Sequence, residues 1–339
     1  MDDLEPIAPD EALALYIDHR RREVAKSTLR SHKSRLGHFV RWCEHEKELT
    51  NLNELTGRLL HEFRLWRRSH DGEIKPVTEK TQMDTLRVFI RFLETVDAVK
   101  PDLSEKVLSP DLDADENVRD DRLTPEQAEA ILTHLGKFEY ASRAHMVLTL
   151  QWHTMLRRGA VRTLDLSDYH PDDQSLEIRH RPETDTPIKN KMKGERFVAL
   201  SSEVCSLLDD WIDNQRPDVV DEFGREPLIA TSHGRMHTTT PTTIVYNWSR
   251  PCRIGLSCPL NRDPEECEAA EYVHASKCPE SVSSHAVRRG AITHHLSSDV
   301  PVEVVSARAN VNPDTLDKHY DRRDEKTKME QRRKYLNNI

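Results

Sequence analysis

Residues 143–157, R-A-H-M-V-L-T-L-Q-W-H-T-M-L-R, are apolar on most faces of the helix that their spacing predicts. A helix of that kind has to be buried, so the chain must supply a domain large enough to wrap it. The run also ends in Arg157 and Arg158. A guanidinium at the end of a buried helix is costly to leave unpaired: it meets an acid, escapes to solvent or waits for an anionic ligand. The 339 residues suffice for that domain and one or two more. An apolar content of 36% is low as a fraction but supplies real cores.

Before the buried run, residues 1–100 read as a helical domain. Leu29, Leu36, Phe39, Val40 and Cys43 recur at helical spacing over 28–44, after a shorter helix at 11–19. Ser27 or Thr28 is the expected cap. A third helix is expected from Leu52, Leu55, Leu59, Leu60, Phe63 and Trp66, and a fourth over 79–96 behind Pro76. Residues 101–121, with two prolines, dense acid and no sustained period, read as an acidic linker. Thr124 then caps a new helix with Pro125 at its first position. Past the buried run, strands are expected at about 175–180 and 196–200. The polar connection I-K-N-K-M-K-G-E precedes the second of them, and Ser201 or Ser202 caps the next helix.

The net charge of −9 argues at first against a polyanionic partner. A ligand samples local potential, however. Seven Lys and Arg lie between Arg20 and Arg35 against the single acid Glu23, while residues 102–129 hold ten acids and three bases. That segregation fits a basic groove on an acidic protein, or simply a solvated helix face. No run approaches the ~18–20 apolar residues of a membrane span, and the M-D-D-L-E-P start lacks a basic-then-apolar signal. A soluble cytoplasmic protein with no membrane partner is expected.

Four cysteines, Cys252, Cys258, Cys267 and Cys278, fall within 27 residues. Disulfides are disfavoured in a reducing compartment, so a structural four-thiolate zinc site is the sharp expectation. The C-x2-C knuckle spacing is absent; unpaired buried thiols and disulfides are the other readings. Further on, His285 and Arg288 stand three residues apart, on one face of a helix. Tyr320 follows in a charged tail without apolar neighbours to pack on. This segment reads as a phosphate site to which a nucleophile is brought.

Several boxes in order resemble the catalytic domain of the tyrosine recombinases, the phage integrase and Xer-type site-specific recombinases, over residues 122–323. H-T-M-L-R-R-G at 153–159 is similar to the family's T-G-L-R box and makes Arg157 its first catalytic arginine. K-N-K-M-K-G-E-R-F-V-A-L at 189–200 resembles the hairpin of the catalytic lysine. Counting back from E-R-F-V-A-L places that residue at Lys191, with Lys189 and Lys193 as near alternatives. S-S-H-A-V-R-R-G resembles the H-x-x-R box, giving His285 and Arg288, and D-K-H-Y the nucleophile box, giving Tyr320.

The resemblance implies a mainly α fold with a small antiparallel β-sheet. Residues 1–100 would be a helical core-binding (SAM-like) domain, and 122–339 an α+β catalytic domain interrupted by the cysteine insertion at 252–278. It implies site-specific recombination of double-stranded DNA by a homo-oligomer, a tetramer on paired sites. Tyr320 would form a 3′-phosphotyrosyl intermediate, and no cofactor would be required for catalysis. Arg20, Arg21, Lys26, Arg30, Lys33 and Arg35 become the candidate DNA contacts. Two positions depart from the pattern. Asn310 stands where His or Trp is usual; it can donate a hydrogen bond to a phosphate oxygen but cannot carry charge. Ala160 stands where an acid is common. These motivate an alternative, a catalytically weakened DNA-binding protein of the same fold with an architectural or regulatory role. From another class, the cysteines would suit a zinc-dependent transcription factor or nuclease.

Overall fold

Four helices occupy the first part of the chain: α1 (Pro9–Arg20), α2 (Lys26–Arg41), α3 (Gly57–Ser69) and α4 (Pro76–Glu94). The computed structural model describes residues 4–70, 72–112, 121–321, 323, 325–333 and 336. The chain divides into two units, Met1–Val118 and Arg119–Ile339.

In the first unit α2 begins at Lys26, with extended Ala25 at its N-cap and no side-chain cap. Ser27 therefore lies inside the first turn, and its carbonyl accepts from Ser31 Oγ at 3.0 Å. Leu52 and Leu55 are not part of α3. Asn51 caps a separate 3₁₀ turn, Leu52–Glu54, and α3 starts behind Thr56, whose hydroxyl accepts from the Leu59 N–H at 3.3 Å. Edge-to-face rings, Phe39 on Phe63 at 5.2 Å and Tyr16 on Phe89 at 5.3 Å, fill the centre. Such pairs add to plain area burial. Leu103 and Val107 are buried in the same core, and Ser109 and the Pro110 carbonyl are hydrogen-bonded to α4, so the segment expected as linker packs on this unit at least as far as Pro110. Residues 113–120 of it lie outside the described residues.

The second unit starts with α5 (Pro125–Phe138), closed by a reciprocal capping box between Thr124 and Gln127. The buried run forms α6 (Arg143–Thr154); Met146, Val147 and Leu150 have no exposed surface. It stops short of the arginines. Met155 takes a left-handed conformation, φ 55°, and Arg157 becomes the N-cap of a new helix, α7 (Arg158–Thr163). An antiparallel sheet follows, β1 (Tyr169–His170), β2 (Ser175–Ile178) and β3 (Arg196–Ala199), in that order, with Leu176 opposite Val198. Arg181 in the β2–β3 connection is fixed to buried Asp168, Nη1 to Oδ2 at 3.0 Å. Next come α8 (Ser202–Asp210), capped by Ser201, the hairpin β4 (Ala230–Thr231) and β5 (Gly234–Arg235), and α9 (Thr240–Trp248).

Four helices end the chain: α10 (Ser284–Ser297), α11 (Val302–Ala309), α12 (Pro313–His319) and α13 (Glu325–Arg333). α5, α8, α9 and α10 pack around α6. α10 approaches the Leu123 backbone so closely that a Cβ on Gly290 would lie 1.9 Å from the Leu123 carbonyl oxygen. The fold is mainly helical with a small antiparallel sheet, as expected.

The cysteine insertion is built of 3₁₀ turns at Pro251–Ile254, Glu268–Ala270 and Tyr272–Lys277. Buried Arg250 organises it: Nε donates to the Asn247 carbonyl at 3.2 Å, Nη2 to Asn247 Oδ1 at 2.8 Å, and Nη1 to the Ala269 carbonyl. Asn247 Nδ2 reaches the Tyr272 carbonyl at 3.0 Å. Cys252, Cys258, Cys267 and Cys278 are partly exposed free thiols around one small pocket. Among the described residues no three His, Cys, Asp or Glu side chains are placed to hold a metal ion. The described geometry does not support the zinc expectation: the four thiols line one pocket, and hydrogen bonds from Arg250 and Asn247 shape the insertion.

Candidate active site

Arg288 lies one turn after His285 on α10 and is 1% exposed. Its Nη2 donates to the Ala309 carbonyl at 2.7 Å and its Nη1 to the carbonyl of Met155, the left-handed residue that ends α6. Arg157, at the start of α7, donates both Nη1 and Nη2 to the Asn310 carbonyl, each at 3.2 Å. The break at Met155 is what frees Arg157 from the buried helix and aims it here. Burial, followed by the charge of Arg157, lowers the pKa of Arg288 to about 10; burial also lowers that of Arg157. Both remain cationic near neutrality. Among the described residues no carboxylate acts on either one; the Tyr320 phenol acts on both.

Tyr320 caps the C-terminus of α12 and is 6% exposed, inside the main core of the second unit. This corrects the expectation that it has nothing apolar to pack on, because its neighbours come from other helices. The Arg288 guanidinium sits over its ring, 6.0 Å from the centroid. Thr293 on α10 donates its hydroxyl to the Tyr320 carbonyl at 2.8 Å. The tyrosine hydroxyl stands 3.5 Å from His285 Nε2, with the two rings edge to face. Partial desolvation of the imidazole, then the positive charges of Arg289, Arg288 and Arg157, hold the His285 pKa down, to about 4. His285 still presents much of its surface to solvent, so the arginine charges are the firmer cause. A neutral imidazole can accept a proton.

Asn310 caps α11 in the left-handed region, φ 51°. Its carbonyl serves Arg157, while its side chain turns to the lysine-bearing connection. Oδ1 accepts from Asn190 Nδ2 at 2.8 Å, and Nδ2 donates to the Lys193 carbonyl at 3.4 Å. The connection closes on Asn310 because residue 194 is glycine: a Cβ there would lie 2.4 Å from the Lys189 carbonyl oxygen and 3.1 Å from Asn310 Nδ2. Lys189, Lys191 and Lys193 are all exposed. The site thus brings Arg157, His285, Arg288, Asn310 and Tyr320 together and leaves the lysines at its edge.

Residues 121–326 match the phage integrase family. The chain belongs to that family, the tyrosine recombinases. Over 96% of its length it also superposes on solved members. For the Tn1549 transposon integrase in complex with a circular intermediate DNA, the TM-score is 0.66 at 16% identity, with 99% of that chain covered. For a lambda integrase dimer bound to a COC′ core site, it is 0.59 at 12% identity, with 78% of that chain covered. The N-terminal domain of a phage integrase/site-specific recombinase from Haloarcula marismortui is 38% identical over 31% of this chain and 99% of its own, with a TM-score of 0.30. No curated protein matches the sequence.

For a tyrosine recombinase, two further arginines at this site went unnoticed in the sequence. Arg196, the first residue of β3, donates Nε to the Arg308 carbonyl at 2.9 Å and Nη1 to the Gly194 carbonyl at 2.8 Å. Arg308 donates Nη2 to the His153 carbonyl at 3.0 Å.

The six basic candidates of the first unit divide. Arg21, Lys26, Arg30 and Lys33 are exposed. The last three fall at i, i+4 and i+7 on α2, a single stripe. Arg20 is paired with Glu23 at 2.5 Å, and Arg35 turns inward to Thr85 Oγ1 at 3.2 Å. Among the described residues no helix is long and apolar enough to cross a membrane.

Proposed function

We propose that this tyrosine recombinase cuts and rejoins double-stranded DNA at specific sites through Tyr320. The observation that carries the reading is the tyrosine hydroxyl at His285 Nε2, 3.5 Å away, beside two buried or half-buried guanidinium groups. In the forward step the Tyr320 oxygen attacks a backbone phosphorus, and its proton passes to His285 Nε2. The bond from phosphorus to the 5′-oxygen breaks, and that oxygen takes a proton from the lysine connection, by position from Lys191. The phosphodiester energy is kept in a 3′-phosphotyrosyl bond, and attack by another 5′-hydroxyl reverses the step.

Negative charge builds on the nonbridging oxygens during both steps. Arg157 and Arg288 meet it with charge-assisted hydrogen bonds from planar forks; donors of this kind are typically worth about 3–4 kcal/mol each. Asn310 acts in this scheme as a positioning residue, tying the lysine connection to the carbonyl that holds Arg157. The exposed stripe of α2, with Arg21 beside it, supplies sequence-independent phosphate contacts. Recombination of two sites calls for a homo-oligomer, a tetramer in the full assembly. The charge is met by guanidinium groups, and the scheme routes no step through a cofactor.

The test is incubation with a nicked duplex carrying the protein's recombination site, found by selecting bound fragments from random DNA. A covalent complex that persists in EDTA and disappears in Tyr320→Phe supports the reading. Specific binding without any covalent species in the wild type would instead make this an architectural member of the family.

A further inference from the structure

Three consecutive carbonyl groups at the end of α11 each accept from a different arginine. Arg196 Nε donates to residue 308 at 2.9 Å, Arg288 Nη2 to residue 309 at 2.7 Å, and both Nη atoms of Arg157 to residue 310 at 3.2 Å. Arg308 adds a fourth guanidinium, resting on the His153 carbonyl. The carbonyl end of a helix carries roughly half an elementary negative charge. It can gather guanidinium groups but cannot neutralise several of them. Among the described residues no carboxylate acts on any of the four; the Tyr320 phenol acts on Arg157 and Arg288. Cations withdrawn from water without a counter-charge are unfavourable, so the row is balanced only when an anion joins it.

The position of Arg196 decides its part. It opens β3, five residues after Lys191, where the lysine connection returns to the sheet. Its Nε and Nη1 are engaged, whereas among the described residues Nη2 has no partner. Burial, then the charges of Arg157 and Arg308, lowers its pKa to about 10, which places its charge within reach of Arg157. An ion pair would have raised it.

We propose that Arg196 is a third phosphate-binding arginine of this site, offering Nη2 to the same DNA phosphodiester that Arg157 and Arg288 hold. The inference rests on the reading that those two arginines bind phosphate. A purely structural role is the competing account, since Arg196 also ties Gly194 to α11.

Inorganic sulfate, a tetrahedral anion of the right size, separates the two. The full chain is titrated with sulfate while the His285 ring resonances are followed by NMR. The wild type should show a saturable shift. Arg196→Gln should weaken the apparent Kd about 10- to 100-fold, the loss of one charge-assisted hydrogen bond. Arg196→Lys, which keeps the charge but loses the fork, should recover much of that affinity. Wild-type affinity in Arg196→Gln would overturn the inference. So would a loss in Arg196→Lys as large as in Arg196→Gln, because a structural tie predicts equal damage. Absence of any saturable shift in the wild type would bring down the phosphate site itself, a result read before either variant is made.

Discussion

Arg157 donates both terminal guanidinium nitrogens to the Asn310 carbonyl, 3.2 Å from each. Asn310 can present that carbonyl because it adopts the left-handed conformation that closes α11, and its side chain at the same time holds the lysine connection. Backbone and side chain can be separated by substitution. Asn310→Gly keeps the left-handed backbone and loses the tie to Asn190, so strand cleavage should slow about 3- to 10-fold, the worth of one hydrogen bond, with little loss of stability. Asn310→Val should also destabilise the fold by about 1–2 kcal/mol, since a branched residue resists that conformation. Single-turnover cleavage and thermal melts of both variants check this; equal behaviour would contradict it.

His285 should titrate below its ordinary 6.5 in the free protein, held down by partial desolvation and the neighbouring arginine charges. The folded pKa lies below the unfolded one, so the unfolded chain binds the extra proton between those values. Its contribution to stability is therefore complete above about pH 6.5 and is lost as pH falls through the folded pKa. NMR titration of the ring checks the shift. Replacing Arg288 and Arg289 singly by Gln should move the midpoint upward.

Lys189, Lys191 and Lys193 are all exposed, and kinetics can assign the proton donor. Loss of the general acid should slow cleavage about 10²- to 10⁴-fold. A substrate with sulfur in place of the 5′-bridging oxygen has a leaving group that needs no proton. Lys191→Ala should be strongly impaired on the oxygen substrate and restored on the sulfur one. Lys189→Ala and Lys193→Ala should show small defects on both. Rescue of either of these two would transfer the role.

Gly290→Ala should destabilise the second unit by about 1–3 kcal/mol or more, the usual cost of overpacking. The added methyl meets the Leu123 backbone at 1.9 Å, and a backbone atom cannot swing aside. Calorimetry of the variant checks it; a melt like the wild type's would mean that α10 and Leu123 sit farther apart.

The helical character of the chain and the order of the chemical boxes were legible because they depend on local spacing. His285 and Arg288 share a face by counting alone. Tyr320 was misjudged because local sequence shows a charged tail, whereas its neighbours Arg288 and His285 arrive from α10. The end of α6 was placed too late because Met155, with neither glycine nor proline to announce it, takes the left-handed turn that redirects Arg157. Arg196 was invisible for a similar reason: its significance lies in the approach of β3 to the end of α11, a tertiary event. The cysteines were read from spacing as a ligand set, but the hydrogen bonds of Arg250 that shape their loop cannot be foreseen from spacing.

The central claim is a bond from the Tyr320 oxygen to a DNA 3′-phosphate. A nicked duplex carrying the selected site, labelled at either end, is incubated with the full chain, and the trapped adduct is digested and sequenced by mass spectrometry. The account predicts a nucleotide on the peptide containing Tyr320, attached through its 3′-phosphate, with a free 5′-hydroxyl on the other fragment. An adduct on another residue, or attachment through a 5′-phosphate, would contradict it.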